Sequence, residues 1–222
     1  EHTIIFVARN TRRATIPSHV TRIAPFSFQN CNRLEELIFE SNSKLNSIGQ
    51  NAFQYTNLTN FYLPPNLCIL EEGWCSQMHL LTDIELAKQN QLFEYINNEY
   101  LIRKSDKCDE KVLLFVKRNI VNSIVPSCVT KIGSFSFSNC ESLKTIKFNE
   151  DSKLKTISKC AFYQTKIESL SLPSSIEDLE EGWCINSDNL NQISVSEKNE
   201  KFIYLNDSFL ISNEKVLLFA RR

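Results

Sequence analysis

Glycine is scarce: four residues in 222, at positions 49, 73, 133 and 182. So few and so scattered, they leave no Gly-rich loop to cradle a phosphate and no Gly-x-Ser-x-Gly elbow to carry a nucleophile. Cys-x-x-Cys pairs are missing, and the three histidines (2, 19, 79) are dispersed, which excludes the common zinc spacings. No apolar run approaches the roughly 20 residues that cross a bilayer. A basic stripe is also lacking. Arg12-Arg13, Lys117-Arg118 and Arg221-Arg222 are isolated pairs in a chain of net charge −1, which argues against a nucleic-acid partner. Glu71-Glu72 and Glu180-Glu181 are the only doubled carboxylates that recur, and adjacent side chains diverge rather than share a proton. No cofactor, metal or catalytic residue is expected. Glu1 begins the chain without a leader behind it, so a missing natural start is expected.

Eight cysteines are present, yet only Cys31/Cys140 and Cys75/Cys184 recur at matching places. Cys68, Cys108, Cys128 and Cys160 stand alone. A disulfide framework would repeat with its module, so the expectation is small buried thiols, mostly reduced.

What the chain has in plenty is repetition. Ile16-Pro-Ser-His-Val-Thr-Arg-Ile23, Phe26-Ser-Phe28, Asn30-Cys31 and Leu34 return as Val125-Pro-Ser-Cys-Val-Thr-Lys-Ile132, Phe135-Ser-Phe137, Asn139-Cys140 and Leu143. Residues 3–102 align without a gap onto 112–211, about 39 of 100 positions being identical against the roughly 6% of chance, which reads as a tandem duplication. We place the copies at 3–109 and 110–213, with 214–222 opening a further one, all within a single solenoid over 1–222.

A finer period runs inside each copy. Ile16, Phe39, Leu63 and Leu86 lie 23, 24 and 23 residues apart, and Val125, Phe148, Leu172 and Val195 keep the same rhythm. Each unit opens on a Leu-x-x-Leu-x-Leu phrase, such as Leu34, Leu37 and Phe39, or Leu58, Phe61 and Leu63. Its last two members sit two apart and face one side of a short strand. Proline often follows, at 17, 64, 65, 126 and 173, and ends the strand. A return segment then sets Ile or Leu four residues before Ala-Phe or Ser-Phe. In Leu70-Glu-Glu-Gly-Trp-Cys75 and Leu179-Glu-Glu-Gly-Trp-Cys184, Trp replaces the small residue and Cys replaces Phe. Two readings stand: core plugs of conserved summed volume, or convex-surface anchors for a partner. Between Leu86 and Val125 lie Phe93–Tyr95, an Asn97-Asn98 turn, Tyr100–Ile102, a polar loop at 103–110 and Val112–Val116, which read as a β-meander. Thr3–Val7 and Val216–Phe219 read as the last strand of the same motif. The sequons Asn57-Leu-Thr and Asn206-Asp-Ser carry little weight in so Asn- and Ser-rich a chain.

The phrase Ile-Pro-Ser-x-Val-Thr-x-Ile, Phe-Ser-Phe-x-Asn-Cys, Leu-x-x-Ile-x-Phe resembles the BspA-like (treponemal-type) leucine-rich repeat. The Leu-Glu-Glu-Gly-Trp-Cys variant and the Lys-Val-Leu-Leu-Phe meander resemble the long surface-antigen arrays of parasitic protozoa. The resemblance implies a β-dominated leucine-rich repeat solenoid with a parallel concave sheet, short convex strands or 3-10 turns, and two superunits each carrying a meander. It also implies a non-enzymatic adhesin or antigen at the cell surface. Bacterial relatives bind matrix and plasma proteins such as fibronectin and fibrinogen.

Outward positions of the concave strands can vary without disturbing the core. In the first half they include Arg13, Thr15, Glu36, Ile38, Glu40, Asn60, Tyr62, Asp83 and Glu85. The second half presents Ile124 and Lys147 among mostly Thr, Ser, Asn and Gln. The expected site is Ile38 and Tyr62 inside an acidic rim, suited to a basic segment of a partner protein. An intracellular scaffold that gathers partners on the same face is the alternative. Open solenoid ends lead us to expect end-to-end self-association.

Overall fold

The computed structural model describes residues 2–104, 109–206, 208–213 and 217–220. Cys108 with residues 105–107 of the polar loop, Asp207 of the second sequon, Val216 of the last strand and the Arg221-Arg222 pair lie outside the described residues.

Chain order in the first half is β1 (Thr3–Ile4), β2 (Arg13–Ile16), β3 (Arg22–Ile23), β4 (Glu36–Phe39), β5 (Ser47–Ile48), β6 (Asn60–Leu63), β7 (Ile69–Leu70), β8 (Asp83–Leu86), β9 (Phe93–Ile96) and β10 (Tyr100–Lys104). The same order returns as β11 (Lys111–Val116), β12 (Asn122–Val125), β13 (Lys131–Ile132), β14 (Thr145–Phe148), β15 (Thr156–Ile157), β16 (Ser169–Leu172), β17 (Asp178–Leu179), β18 (Gln192–Val195), β19 (Phe202–Leu205), β20 (Phe209–Ser212) and β21 (Leu217–Ala220). Eight coils thus stack, each with one four-residue strand, and no helix occurs among the described residues.

Two walls of parallel strands enclose the core. The long strands form one wall. The other is formed by two-residue strands, β1-β3-β5-β7 in the first half and β13-β15-β17 in the second, the latter led by the six-residue β11. In each long strand the residue sets follow the pleat: Ile16, Leu63 and Val125 are buried while Thr15, Asn60 and Ile124 are exposed. Ile23, Ile48, Leu70, Ile132, Ile157 and Leu179 close the core from the short-strand wall. A coil cannot bury these side chains alone; its neighbours cover them. Of the two convex alternatives, short strands and not 3-10 turns occupy that wall among the described residues.

The scarcity of glycine has a backbone counterpart. Each return segment needs two left-handed corners four residues apart, and most are filled without glycine: Phe26 and Asn30, Asn51 and Tyr55, Phe135 and Asn139, Cys160 and Gln164, all with φ between 53° and 61°. Stacked neighbours hold these corners in a region non-glycine residues otherwise avoid. Gly73 (φ 74°) is a glycine for a second reason. A Cβ there would lie 2.9 Å from the Phe135 ring of the second half.

Trp74 and Trp183 are 0% and 1% exposed. They are core plugs, and the reading of them as surface anchors is corrected by their burial. Trp74 meets the Phe61 ring edge-on at 4.7 Å, and Phe53 stacks on Phe28 at 4.7 Å, giving an aromatic column through the first half. Phe137, Phe162 and Trp183 rebuild it in the second, with centroids 5.0 and 5.8 Å apart.

The meander joins the halves. Strand β11 pairs antiparallel with β10 and parallel with β13, so one strand ends the first half and starts the second. Asn97 and Asn98 both adopt φ of 54° in the three-residue loop between β9 and β10, where the Glu99 amide donates to the Ile96 carbonyl and closes a tight turn. Arg118 is buried at this junction. Its Nη1 donates to the Ser136 carbonyl at 2.8 Å, its Nη2 lies 3.6 Å from Cys75 Sγ, and its guanidinium covers the Phe115 ring at 4.7 Å. Burial pushes the Cys75 thiol up to about 11, against the pull of Arg118. No described cysteine forms a disulfide.

Glu72 clamps the same junction. Its carboxylate accepts the Ser134 amide at 2.9 Å and hydroxyl at 2.8 Å, and Lys131 Nζ lies 3.4 Å away. Burial raises the Glu72 carboxyl, but Ser134 and Lys131 outweigh it and the net shift is downward from 4.5. A carboxyl lowered on folding stabilises above its unfolded value and ceases to as pH falls through its folded value. Glu72→Gln is therefore expected to cost about 1 kcal/mol at neutral pH and to flatten the loss of stability below pH 4.5. Denaturation midpoints of both proteins across the acid range check this; parallel curves would refute it.

Candidate binding faces

The outward residues of the long strands form two rows in the first half. In one, Arg13 lies beside Glu36 and Asn60 beside Asp83; in the other, Thr15 lies beside Ile38 and Tyr62 beside Glu85. Ile38 is 44% exposed, and Tyr62 is half-buried with its ring 6.2 Å from that of Phe39. This places Glu36, Ile38, Glu40, Asn60, Tyr62, Asp83 and Glu85 on one wall. Their charges are less free than the sequence implies. Glu36 pairs with Arg13 at 3.1 Å, Asp83 with Lys117 at 3.7 Å, and Glu40 accepts the Ser18 amide at 2.9 Å. Lys117 follows the meander, a distance in sequence that hides its role from strand periodicity.

Ile124 and Lys147 do not join that cluster. No ladder connects β8 to β12. The meander stands between: β9 packs on β8, while the Tyr100 hydroxyl on β10 accepts the Ile124 amide at 3.1 Å and bonds Ser123 Oγ at 2.9 Å. Ile124 (56% exposed) and Lys147 are instead neighbours in the second half's own row.

The wall is broken in the first half and forked at one end in the second, at the same place. Strands β4 and β6 share no ladder, and β14 pairs with β16 only at Thr145↔Ser169 and Ile146↔Leu170. Pro64 and Pro173 follow β6 and β16 directly. Proline has no N–H to give to the preceding strand, and the extra residue in the 24-residue spacing falls in the same coil. In the second half, where β14 and β16 part beyond Ile146 and Leu170, a groove of about 600 Å³ lies at the ends of β14, β16 and β18. Phe148, Leu172 and Val195 floor it, and Lys147, Ser171 and Ser194 rise beside them. Ser194 Oγ donates to Ser171 Oγ at 2.7 Å. Lys198 and Ser196, from the turn after β18, complete the rim. Strand periodicity assigns those two to a turn and passes over them.

Among the described residues no group of His, Cys, Asp and Glu is arranged to hold a metal ion, and no helix is long and apolar enough to cross a membrane.

Several solved structures share the fold. The pneumococcal vaccine antigen PcpA superposes with a TM-score of 0.71 at 20% identity, over 85% of this chain and 52% of its own. A leucine-rich repeat protein from Eubacterium ventriosum gives 0.69 at 19% identity, over 88% and 57%. A leucine-rich cell surface protein from Faecalibacterium prausnitzii gives 0.59 at 21%, over 83% and 59%. The chain thus spans between half and three-fifths of these structures' length. No curated protein matches it. The family model of the BspA type leucine rich repeat region matches residues 4–105 and 113–212 in six copies. Those two stretches take in nearly every coil described above, and the chain belongs to the BspA-type leucine-rich repeat family, whose members are protein-interaction repeat modules.

Proposed function

We propose that this chain is a non-enzymatic, protein-binding module of a cell-surface adhesin or antigen, and that the first half's long-strand wall takes a basic segment of a host or matrix protein. The observation that carries the reading is Ile38, 44% exposed on β4, with the half-buried Tyr62 across the break between β4 and β6, its ring 6.2 Å from that of Phe39, and Glu40 and Glu85 on the same two strand rows. An apolar centre with a charged rim is the usual anatomy of a protein interface. Salt bridges to Arg13 and Lys117 leave Glu85 as the carboxylate best placed to meet an incoming cation. Surface placement draws support from the structural neighbours described as a vaccine antigen and a cell surface protein.

The intracellular scaffold has one observation in its favour: the described cysteines form no disulfide, and Cys68 is exposed. Labelling intact cells with a membrane-impermeant reagent separates the two, since only a surface protein is marked. For the face itself the probe is an alternating lysine–leucine peptide. The double variant Tyr62→Ala with Glu85→Lys is expected to weaken binding about tenfold or more. Glu36→Lys, already engaged by Arg13, is expected to weaken it less. Unchanged affinity in the double variant removes this site.

A further inference from the structure

The two halves share a core but present opposite surface chemistry at matching places. Where the first half has Ile38, Tyr62 and Glu85, the second has Lys147, Ser171 and Ser194. Glu40 and Gln89 correspond to Asn149 and Lys198. All of these second-half residues line the groove where β14 and β16 part before Pro173. We propose that this groove is a binding site for an anionic oligosaccharide, one carrying isolated carboxylates on a polyhydroxylated chain. It is a surface separate from the protein-binding wall and does not depend on it.

Three features carry the assignment. First, the volume of about 600 Å³ falls within the size of small-ligand sites. Second, the rim is directional and polar. The hydroxyls of Ser171, Ser174, Ser194 and Ser196 and the Asn149 amide both donate and accept, as sugar hydroxyls do. Beneath them the half-buried Phe148 ring and Val195 side chain, backed by the buried Leu172, supply an apolar floor for the C–H face of a sugar ring. Third, Lys147 and Lys198 are exposed cations that match a carboxylate, whereas Glu150 on the same rim disfavours a densely charged polyanion. A protein partner fits less well. The groove exposes no Arg, Trp, Tyr or Met, the residues that anchor protein interfaces, and serine and lysine are depleted there.

The probe is a tetrasaccharide of alternating hexuronic acid and N-acetylhexosamine, titrated calorimetrically into the whole chain. Saturable binding with a Kd below about 1 mM, weakened by added salt, is the expected result. Lys147→Ala with Lys198→Ala is expected to weaken it about fivefold or more, and Ser194→Val, which breaks the hydroxyl ladder, to weaken it with net charge unchanged. These side chains are exposed, and an unchanged circular dichroism spectrum shows that the variants remain folded. Absence of saturable binding overturns the proposal. So does equal binding of a neutral tetrasaccharide, or wild-type affinity in the lysine variant. An aspartate-rich peptide that binds the groove more tightly, with the same lysine dependence, assigns the site to a protein ligand and also overturns it.

Discussion

Trp74→Ala is expected to cost about 3–5 kcal/mol, the range for emptying a packed aromatic site. The indole is fully buried, edge-on to Phe61 at 4.7 Å and within 6.4 Å of Phe53. Its removal breaks the aromatic column at the coil that receives the second half through Gly73–Phe135 and Cys75–Arg118. In a solenoid, stability is a sum of coil and interface contributions, so both are lost together. Trp183→Ala is expected to cost less. That indole meets one ring, Phe162 at 5.8 Å, and lines a hollow of about 270 Å³ beside Phe219 into which side chains and water can move. Trp74→Phe is expected to cost under about 1.5 kcal/mol. The indole Nε1 has no acceptor, so the ring matters for its volume and not for its N–H. The chain has two tryptophans, so each alanine variant leaves one emission reporter in the other half. Urea titration should show the midpoint of the Trp74→Ala protein lowered by about 1–2 M. Equal midpoints for the two alanine variants would contradict the difference in packing.

The coil period was legible because burial imposes it. Every long strand must turn two residues inward, so Leu37 and Phe39, or Phe61 and Leu63, mark both the strand and its register. The meander was legible through Asn97-Asn98, whose side chains tolerate left-handed backbone. The face was legible only in part. Alternation places Ile38 and Tyr62 on the outer side, but pairing of charges is a matter of distance between coils. Arg13 neutralises Glu36 from one coil away, and Lys117 reaches Asp83 from beyond the hairpin. Periodicity places Ile124 and Lys147 on the outer side of the second half's strands but does not tell how far the meander sets them from the first-half row. The groove was hidden for a similar reason. Pro173 signals the end of a strand, yet its effect falls on the pairing of the strand before it.

Asn90→Leu is expected to cost about 2–4 kcal/mol, although position 90 falls in a polar stretch that reads as loop. The amide is 7% exposed and fully used. Its Nδ2 donates to the Pro64 carbonyl at 3.2 Å and the Leu67 carbonyl at 2.9 Å, and its Oδ1 accepts the Leu92 and Phe93 amides at 3.0 and 3.2 Å. One side chain thereby ties the turn of the preceding coil to the first strand of the meander. Leucine has nearly the same shape and satisfies none of these groups, and each buried orphan costs about 1–3 kcal/mol. Relaxation and water access at the rim keep the total below the sum. Asn199 repeats the arrangement with the Ile176 carbonyl at 2.9 Å and the Lys201 and Phe202 amides at 2.9 Å. It is only half-buried, so Asn199→Leu is expected to cost less. Asn60→Leu, on the exposed face, is expected to stay within about 0.5 kcal/mol of wild type. Hydrogen exchange localises the effect. In the Asn90→Leu protein the Leu92 and Phe93 amides should lose protection before the strands of the first two coils do, because the donor–acceptor chain that links the turn after β8 to the hairpin has been cut at its centre. Retained protection at those two amides, with a stability change no larger than that of Asn60→Leu, would show that the coil-to-meander corner is held by backbone geometry and packing alone.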